Sequence, residues 1–256
     1  ETAELIHNDG IHILFDLSGH TAKNRLPVFA YKPAPIQVTW LGYWATTGVA
    51  EMDYILGDPY RTPHKDKDHF TETIWQLSET SLCFSKPYDN IDIYPVPALS
   101  NGFITFGCFN NLTKMTDEVV KVRADILKAV PESKLFLKNK QLDSDQICTS
   151  VLDRFAEHNI SSDRLILEGK TPRKDYFDAY NKIDIALSPF PYAGSTTSIE
   201  GLWMGVPILS RKGNQCVSKI GDLINQNAGL SDWIASDNSE YIEKAKKFAS
   251  NIENLS

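Results

Sequence analysis

The chain has 256 residues, 42% hydrophobic and 23% charged, with 26 Lys and Arg against 33 Asp and Glu for a net charge of −7. That suffices for one large domain or two moderate ones, each with its own core. An acidic balance without a basic stripe argues against nucleic acid as a partner. No apolar run reaches the roughly 18 residues of a transmembrane helix, so no membrane partner is expected. Cys83, Cys108, Cys148 and Cys216 are widely spaced with no CxxC pair, which speaks against a metal site or a disulfide framework and for a reducing, cytoplasmic setting.

The opening ETAELIHNDG lacks an initiator Met and the profile of a signal peptide, and reads as an excerpt of something longer. Leu5 and Ile6 close a helix, Asn8-Asp9-Gly10 turns, and strands follow at IHILFDL, at 36–41 and at 53–58. These short apolar runs predict strands buried on both faces of a parallel sheet. Residues 59–73 are polar and predict a surface connection. The segment 85–101, with three prolines, predicts an interdomain linker. The expected domains are therefore 1–90 and 91–256.

Beyond the linker, strand and helix alternate. Strands are expected at GFITFGCF, KLFLK, RLILEG, DIALSP and PILS. Helices are expected over 117–130, 144–158, 175–181, 198–204, 220–225 and 239–248, the first from the spacing of Val119, Val122, Ile126 and Leu127. Such βα units build a Rossmann-like domain, whose ligands sit at the carboxyl ends of the strands.

Three loops at that edge carry chemistry. In SPFPYAGSTTSIE a strand leads through Gly194 to a helix start at Ser195, Thr196 and Thr197, where free N–H groups and the positive dipole end suit a phosphate. Glu200, one turn on, is placed to accept ribose hydroxyls. The same residues would equally serve as an ordinary helix cap, with Glu200 completing a capping box. In FGCFNNLTKMTDE, Asn110, Asn111 and Lys114 follow the first strand, and the lysine can neutralise a departing diphosphate; otherwise it is a surface residue of a turn. In GKTPRKDYFDAY, Arg173 and Tyr176 can flank a planar base, or simply open a helix. In the first segment, His20, Tyr43 and Trp44 occupy loops after strands, as pocket lining or as packing.

The stretches GHTAKNRLPVFAYKPAPIQVTWLGY, TTGVAEMDYILGDP, PALSNGFITFGCFNNLTKMT and FPYAGSTTSIEGLWMGVP resemble the protein O-GlcNAc transferase family, closest to its plant SPINDLY and bacterial SPINDLY-like branch. The resemblance implies a GT-B fold of two Rossmann-like domains with parallel sheets, the first truncated at its N-terminus. It also implies inverting transfer of GlcNAc or fucose to Ser or Thr of intracellular proteins. The donor would be UDP-GlcNAc or GDP-fucose, no metal or other cofactor would be required, and upstream tetratricopeptide repeats would select a protein acceptor. Lys114 then matches the lysine that stabilises the diphosphate and Asn111 its neighbour. Ser195, Thr196 and Thr197 match the pyrophosphate-binding helix start, and Glu200 the acidic residue on the ribose. Arg173 and Tyr176 fall around the nucleobase, Leu41, Gly42 and Tyr43 line the sugar, and Arg25 is a cleft arginine. Ser195, Trp44 and the stretch 211–223 depart from the family pattern, and the family's proton-transfer Asp and His are placed upstream of this chain. Two other readings share these features: a non-catalytic nucleotide-binding scaffold, and a GT-B sugar-nucleotide epimerase or small-molecule glycosyltransferase.

Overall fold

The computed structural model describes residues 1–87 and 91–255. The chain divides into two compact units, one of Glu1–Ser85 with Gln215–Lys219, the other of Lys86–Asn214 with Ile220–Ser256. The boundary expected at 90/91 borders residues 88–90, which lie outside the described residues. Gln215–Lys219, expected within 91–256, groups instead with the first unit.

The first unit is a four-stranded parallel sheet in the order β1 (Ile13–Asp16), β2 (Ile36–Thr39), β3 (Tyr54–Gly57) and β4 (Thr73–Gln76). Helix α1 (Thr2–Asn8) precedes it, and the short helix α2 (Leu26–Phe29) buries Leu26 and Phe29 with Met52 against Leu14 and Val49. The expectation of two covered faces fails in this unit, where Ile13, Phe15 and Trp75 are 48%, 44% and 48% exposed. An apolar run specifies a strand but not how many layers will cover it. Strand β4 also begins where a plain surface connection ends, because TIWQ is too short and too mixed to announce an edge strand.

The second unit contains α3 (Ala98–Asn101), β5 (Thr105–Cys108), α4 (Asp117–Ala129), β6 (Lys134–Lys138), α5 (Asp145–Ala156), β7 (Leu165–Glu168), α6 (Arg173–Asp178) and β8 (Ile185–Leu187). It continues with α7 (Thr196–Trp203), β9 (Ile208–Arg211), α8 (Ile220–Asn227), β10 (Ile234–Ala235) and α9 (Asn238–Ala249). Its sheet is parallel throughout, in the order β10-β9-β8-β5-β6-β7. The chain runs outward from β5 through β6 to β7, then returns to build β8, β9 and β10 on the other side. The order therefore reverses between β5 and β8, and a crevice opens there at the carboxyl ends.

Packing fixes those ends. Helix α4 buries Val119, Val122, Ile126 and Leu127 as its spacing predicts, together with Phe106, Leu135, Leu137 and Leu187 of the strands. Each such side chain contributes roughly 1.5–3 kcal/mol of burial. Gly107 lets β5 and β8 lie close, since a Cβ there would meet Ile183 Cδ1 at 2.4 Å. Where β8 runs out into its loop, buried side chains satisfy its last carbonyls: Arg123 donates to Leu187 O (3.1 Å), and the Tyr241 hydroxyl shares its one proton between Ser188 O (3.0 Å) and Leu209 O of the neighbouring strand (3.1 Å).

Candidate functional site

The loop after β5 is shaped by its own side chains. Asn111 Oδ1 accepts from Thr113 N and Thr113 Oγ1, both at 3.0 Å, and so winds the single 3-10 turn Leu112–Lys114 that delivers the lysine. Thr116 then caps α4 by accepting from Val119 N at 3.3 Å. Asn111 thus acts by forming the turn.

Lys114 reaches across the strand reversal to the loop after β8. Its Nζ donates to Ala193 O at 3.0 Å and lies 3.8 Å from the centre of the Tyr192 ring. Burial pushes its pKa down to about 8, against a small opposing effect of Cys108. Next to it, Thr197 Oγ1 donates to Asn110 Oδ1 at 3.2 Å, and Gly194 N donates to Ser188 Oγ at 3.2 Å. A Cβ on Gly194 would lie 2.6 Å from Ser198 Oγ and 2.9 Å from both Asn110 Nδ2 and Thr197 Oγ1. Glycine is thus needed there for close approach of the two loops.

The capping reading of the α7 start is not what the structure adopts. Ser195 occupies the cap position without a side-chain cap bond, and Glu200 turns away from the helix start. Among the described residues none accepts from the N–H groups of Thr196 or Thr197. Two orphan donors at the positive end of an eight-residue helix, with an ammonium one loop away, form an anion-binding arrangement. The lysine, both asparagines, Gly194 and the three hydroxyl residues are thus brought together at one sheet edge.

Glu200 is 2% exposed, and both of its oxygens are bonded: Oε1 accepts from Arg173 Nη2 and Oε2 from the Tyr176 hydroxyl, each at 2.7 Å. The Arg173 side chain is 59% exposed and stacks over Phe177 at 4.3 Å, which makes this a weak, displaceable partner. Burial, and then the neighbouring carboxylate, push the Tyr176 pKa up, so its hydroxyl stays a donor at every working pH. Arg173 and Tyr176 wall a groove of about 490 Å³ with Phe109, Lys138, Asn139 and Thr171. That size suits a small ligand, and the Thr171 hydroxyl there is buried without a hydrogen-bond partner.

The remaining candidates belong to the first unit. Gly42 has no room for a side chain, since a Cβ would meet Leu17 O at 1.9 Å, and Leu41 before it adopts φ +65°. Tyr43 packs on Gly19 and stands edge-on to His20 with ring centres 5.3 Å apart. Asp16, buried at the end of β1, holds the facing turn by accepting from Ser18 N (3.1 Å), Gly19 N (2.8 Å) and Thr39 Oγ1 (3.0 Å). Arg25 is exposed at the start of α2, and Trp44 carries the Arg61 guanidinium at 5.0 Å. Three contributors escaped the sequence reading: Tyr192, the Ala193 carbonyl and Tyr180. Tyr192 could have been found from its place two residues before Gly194; a backbone carbonyl leaves no sequence signal.

Two parallel Rossmann-like units, the second with its strand reversal beneath a lysine and an open helix start, define a GT-B-type α/β protein. The chain belongs to glycosyl transferase family 41, whose pattern matches residues 1–85 and 93–256. It is 38% identical over its whole length to a tomato (Solanum lycopersicum) protein described as a probable UDP-N-acetylglucosamine–peptide N-acetylglucosaminyltransferase SPINDLY, and 39% identical over 99% of its length to the Arabidopsis thaliana counterpart. It spans 28% of each of those proteins. A Lys-to-Met mutant of the Thermobaculum terrenum O-GlcNAc transferase superposes with a TM-score of 0.94 at 36% identity, over 99% of this chain and 49% of that one. A glycosyltransferase from Rickettsia africae, at 12% identity and a TM-score of 0.50 over 99% of this chain and 76% of its own, shares the fold alone. Among the described residues no helix is long and apolar enough to cross a membrane, and no group of three or more His, Cys, Asp or Glu could hold a metal ion.

Proposed function

We propose that the protein carrying this chain transfers a sugar, GlcNAc or fucose, from a nucleoside diphosphate to Ser or Thr of a protein acceptor, with inversion at the anomeric carbon. The observation that carries this reading is the Lys114 ammonium bonded to Ala193 O, three residues before the open start of α7. As the acceptor hydroxyl attacks and the sugar–oxygen bond breaks, negative charge builds on the departing diphosphate. Lys114 and the N–H groups of Thr196 and Thr197 are preorganised to take that charge without a metal ion. Arg173, Tyr176 and Glu200 hold the nucleoside end. The SPINDLY and O-GlcNAc transferase relatives support both the donor class and the acceptor class.

The test is a thermal-shift panel of UDP, GDP, UDP-GlcNAc and GDP-fucose, followed by a transfer assay on protein acceptors. A donor at 100 times its Kd should stabilise the protein by about 2.7 kcal/mol. Binding without transfer or donor hydrolysis would favour the non-catalytic reading.

A further inference from the structure

Under the site lies a tyrosine that touches all three loops and is itself 2% exposed. Tyr180 follows α6, one turn after Tyr176. Its ring packs on Phe109, just after β5, with centres 4.4 Å apart, and lies against Gly201 of α7, where an added Cβ would come within 3.3 Å of Tyr180 Cε1. Its hydroxyl donates to Thr197 O at 2.9 Å and sits 3.1 Å from the Tyr176 hydroxyl. A continuous polar path therefore runs from Arg173 through Glu200, Tyr176, Tyr180 and Thr197 to Asn110.

The protons in this path can be counted. Glu200 and the Thr197 carbonyl only accept, so the three oxygen–oxygen contacts Glu200–Tyr176, Tyr176–Tyr180 and Tyr180–Thr197 share two hydroxyl protons. With Tyr176 donating to Glu200 and Tyr180 to Thr197, the central contact has no proton of its own. A ligand hydroxyl that takes over Glu200 Oε2 frees the Tyr176 proton for Tyr180. The path can thus change state while every ring stays in place.

We infer that Tyr180 is a positioning residue that links the nucleoside side of the site to the diphosphate-binding start of α7, setting Thr197 and Asn110 through its hydroxyl. This rests on the diphosphate reading above. A phenylalanine would fill the same space, so packing alone does not require the hydroxyl, whereas positioning does.

The experiment is calorimetric titration of the full protein and its variants with UDP, GDP and inorganic pyrophosphate, alongside melting curves without ligand. Tyr180→Phe should raise the Kd of pyrophosphate and of the nucleotide that binds by about 3- to 10-fold, the worth of one hydrogen bond. Tyr176→Phe should also raise the Kd of pyrophosphate, a probe with no base to touch, and the double variant should be no worse than the worse single one. Wild-type affinity in Tyr180→Phe overturns the inference, as does full additivity in the double variant. If Tyr180→Phe fails to fold, the pyrophosphate affinity of Tyr176→Phe decides, and an unchanged value overturns the relay. A wild-type protein that binds none of the three probes refutes the diphosphate reading and the relay with it, whereas a relay failure alone leaves wild-type binding intact.

Discussion

Because burial brings Lys114 down to about 8, its charge titrates in an accessible range, and diphosphate binding should depend on pH through this residue. The sign follows from the chemistry: the ammonium attracts the anion and the neutral amine does not, so affinity is nearly full at pH 7, where most of the lysine is charged, and is lost as pH rises through about 8. The fraction protonated falls from about 0.9 at pH 7 to about 0.1 at pH 9, so Kd for UDP or GDP should rise about tenfold, or ~1.4 kcal/mol. The ligand adds no slope of its own, since the second phosphate ionisation, at about pH 6, is complete in that window. The assay is calorimetry at pH 7, 8 and 9 in buffers of different ionisation enthalpy, with Lys114→Met as control. Wild type should take up protons on binding at pH 8–9, and the variant should bind weakly with no pH slope. A flat wild-type profile, or an equal slope in the variant, would refute the reasoning.

Lys114→Met should also cut turnover by about 10²–10³, far more than it weakens donor binding at pH 7, as expected for a group that acts on charge developing in the transition state; equal losses in kcat and affinity would make it a mere anchor. Gly194→Ala should push Ser198, Asn110 and Thr197 apart and cost about 1–3 kcal/mol of donor binding while leaving the fold intact, read by titration and circular dichroism. Glu200→Ala should remove the carboxylate that Arg173 and Tyr176 share and lower unfolding stability in urea by roughly 1–3 kcal/mol, with Glu200→Gln retaining part of it. Turnover should be unchanged by EDTA, since Lys114 and the α7 start supply the positive charge; loss of activity restored by a divalent cation would count against the metal-free step.

The loops that carry the candidate site were legible because each lies between an apolar strand and a periodic helix, which fixes it at the carboxyl edge of the sheet. Asn111, Lys114 and Ser195–Thr197 could be placed on that ground. Glu200 was legible as a residue near the helix start, but not its orientation: spacing cannot say that Arg173 and Tyr176, about 25 positions earlier, would already hold both of its oxygens. Tyr180 was hidden for the opposite reason, since a tyrosine on the inner side of a helix reads as core until the partner of its hydroxyl is known. The exposure of Ile13 and Phe15 was equally out of reach, because hydrophobicity records what a strand can bury and not what covers it. The assignment of 215–219 to the first unit depends on long-range packing that no local pattern encodes.

One ligand should be gripped from two loops at once, and a crystal structure of the protein with UDP or GDP tests this most directly. The expected result is a single diphosphate with the Lys114 ammonium and the Thr196 and Thr197 N–H groups all within about 3 Å of its oxygens. A nucleotide bound elsewhere, with Lys114 still on Ala193 O and the start of α7 untouched, would contradict it.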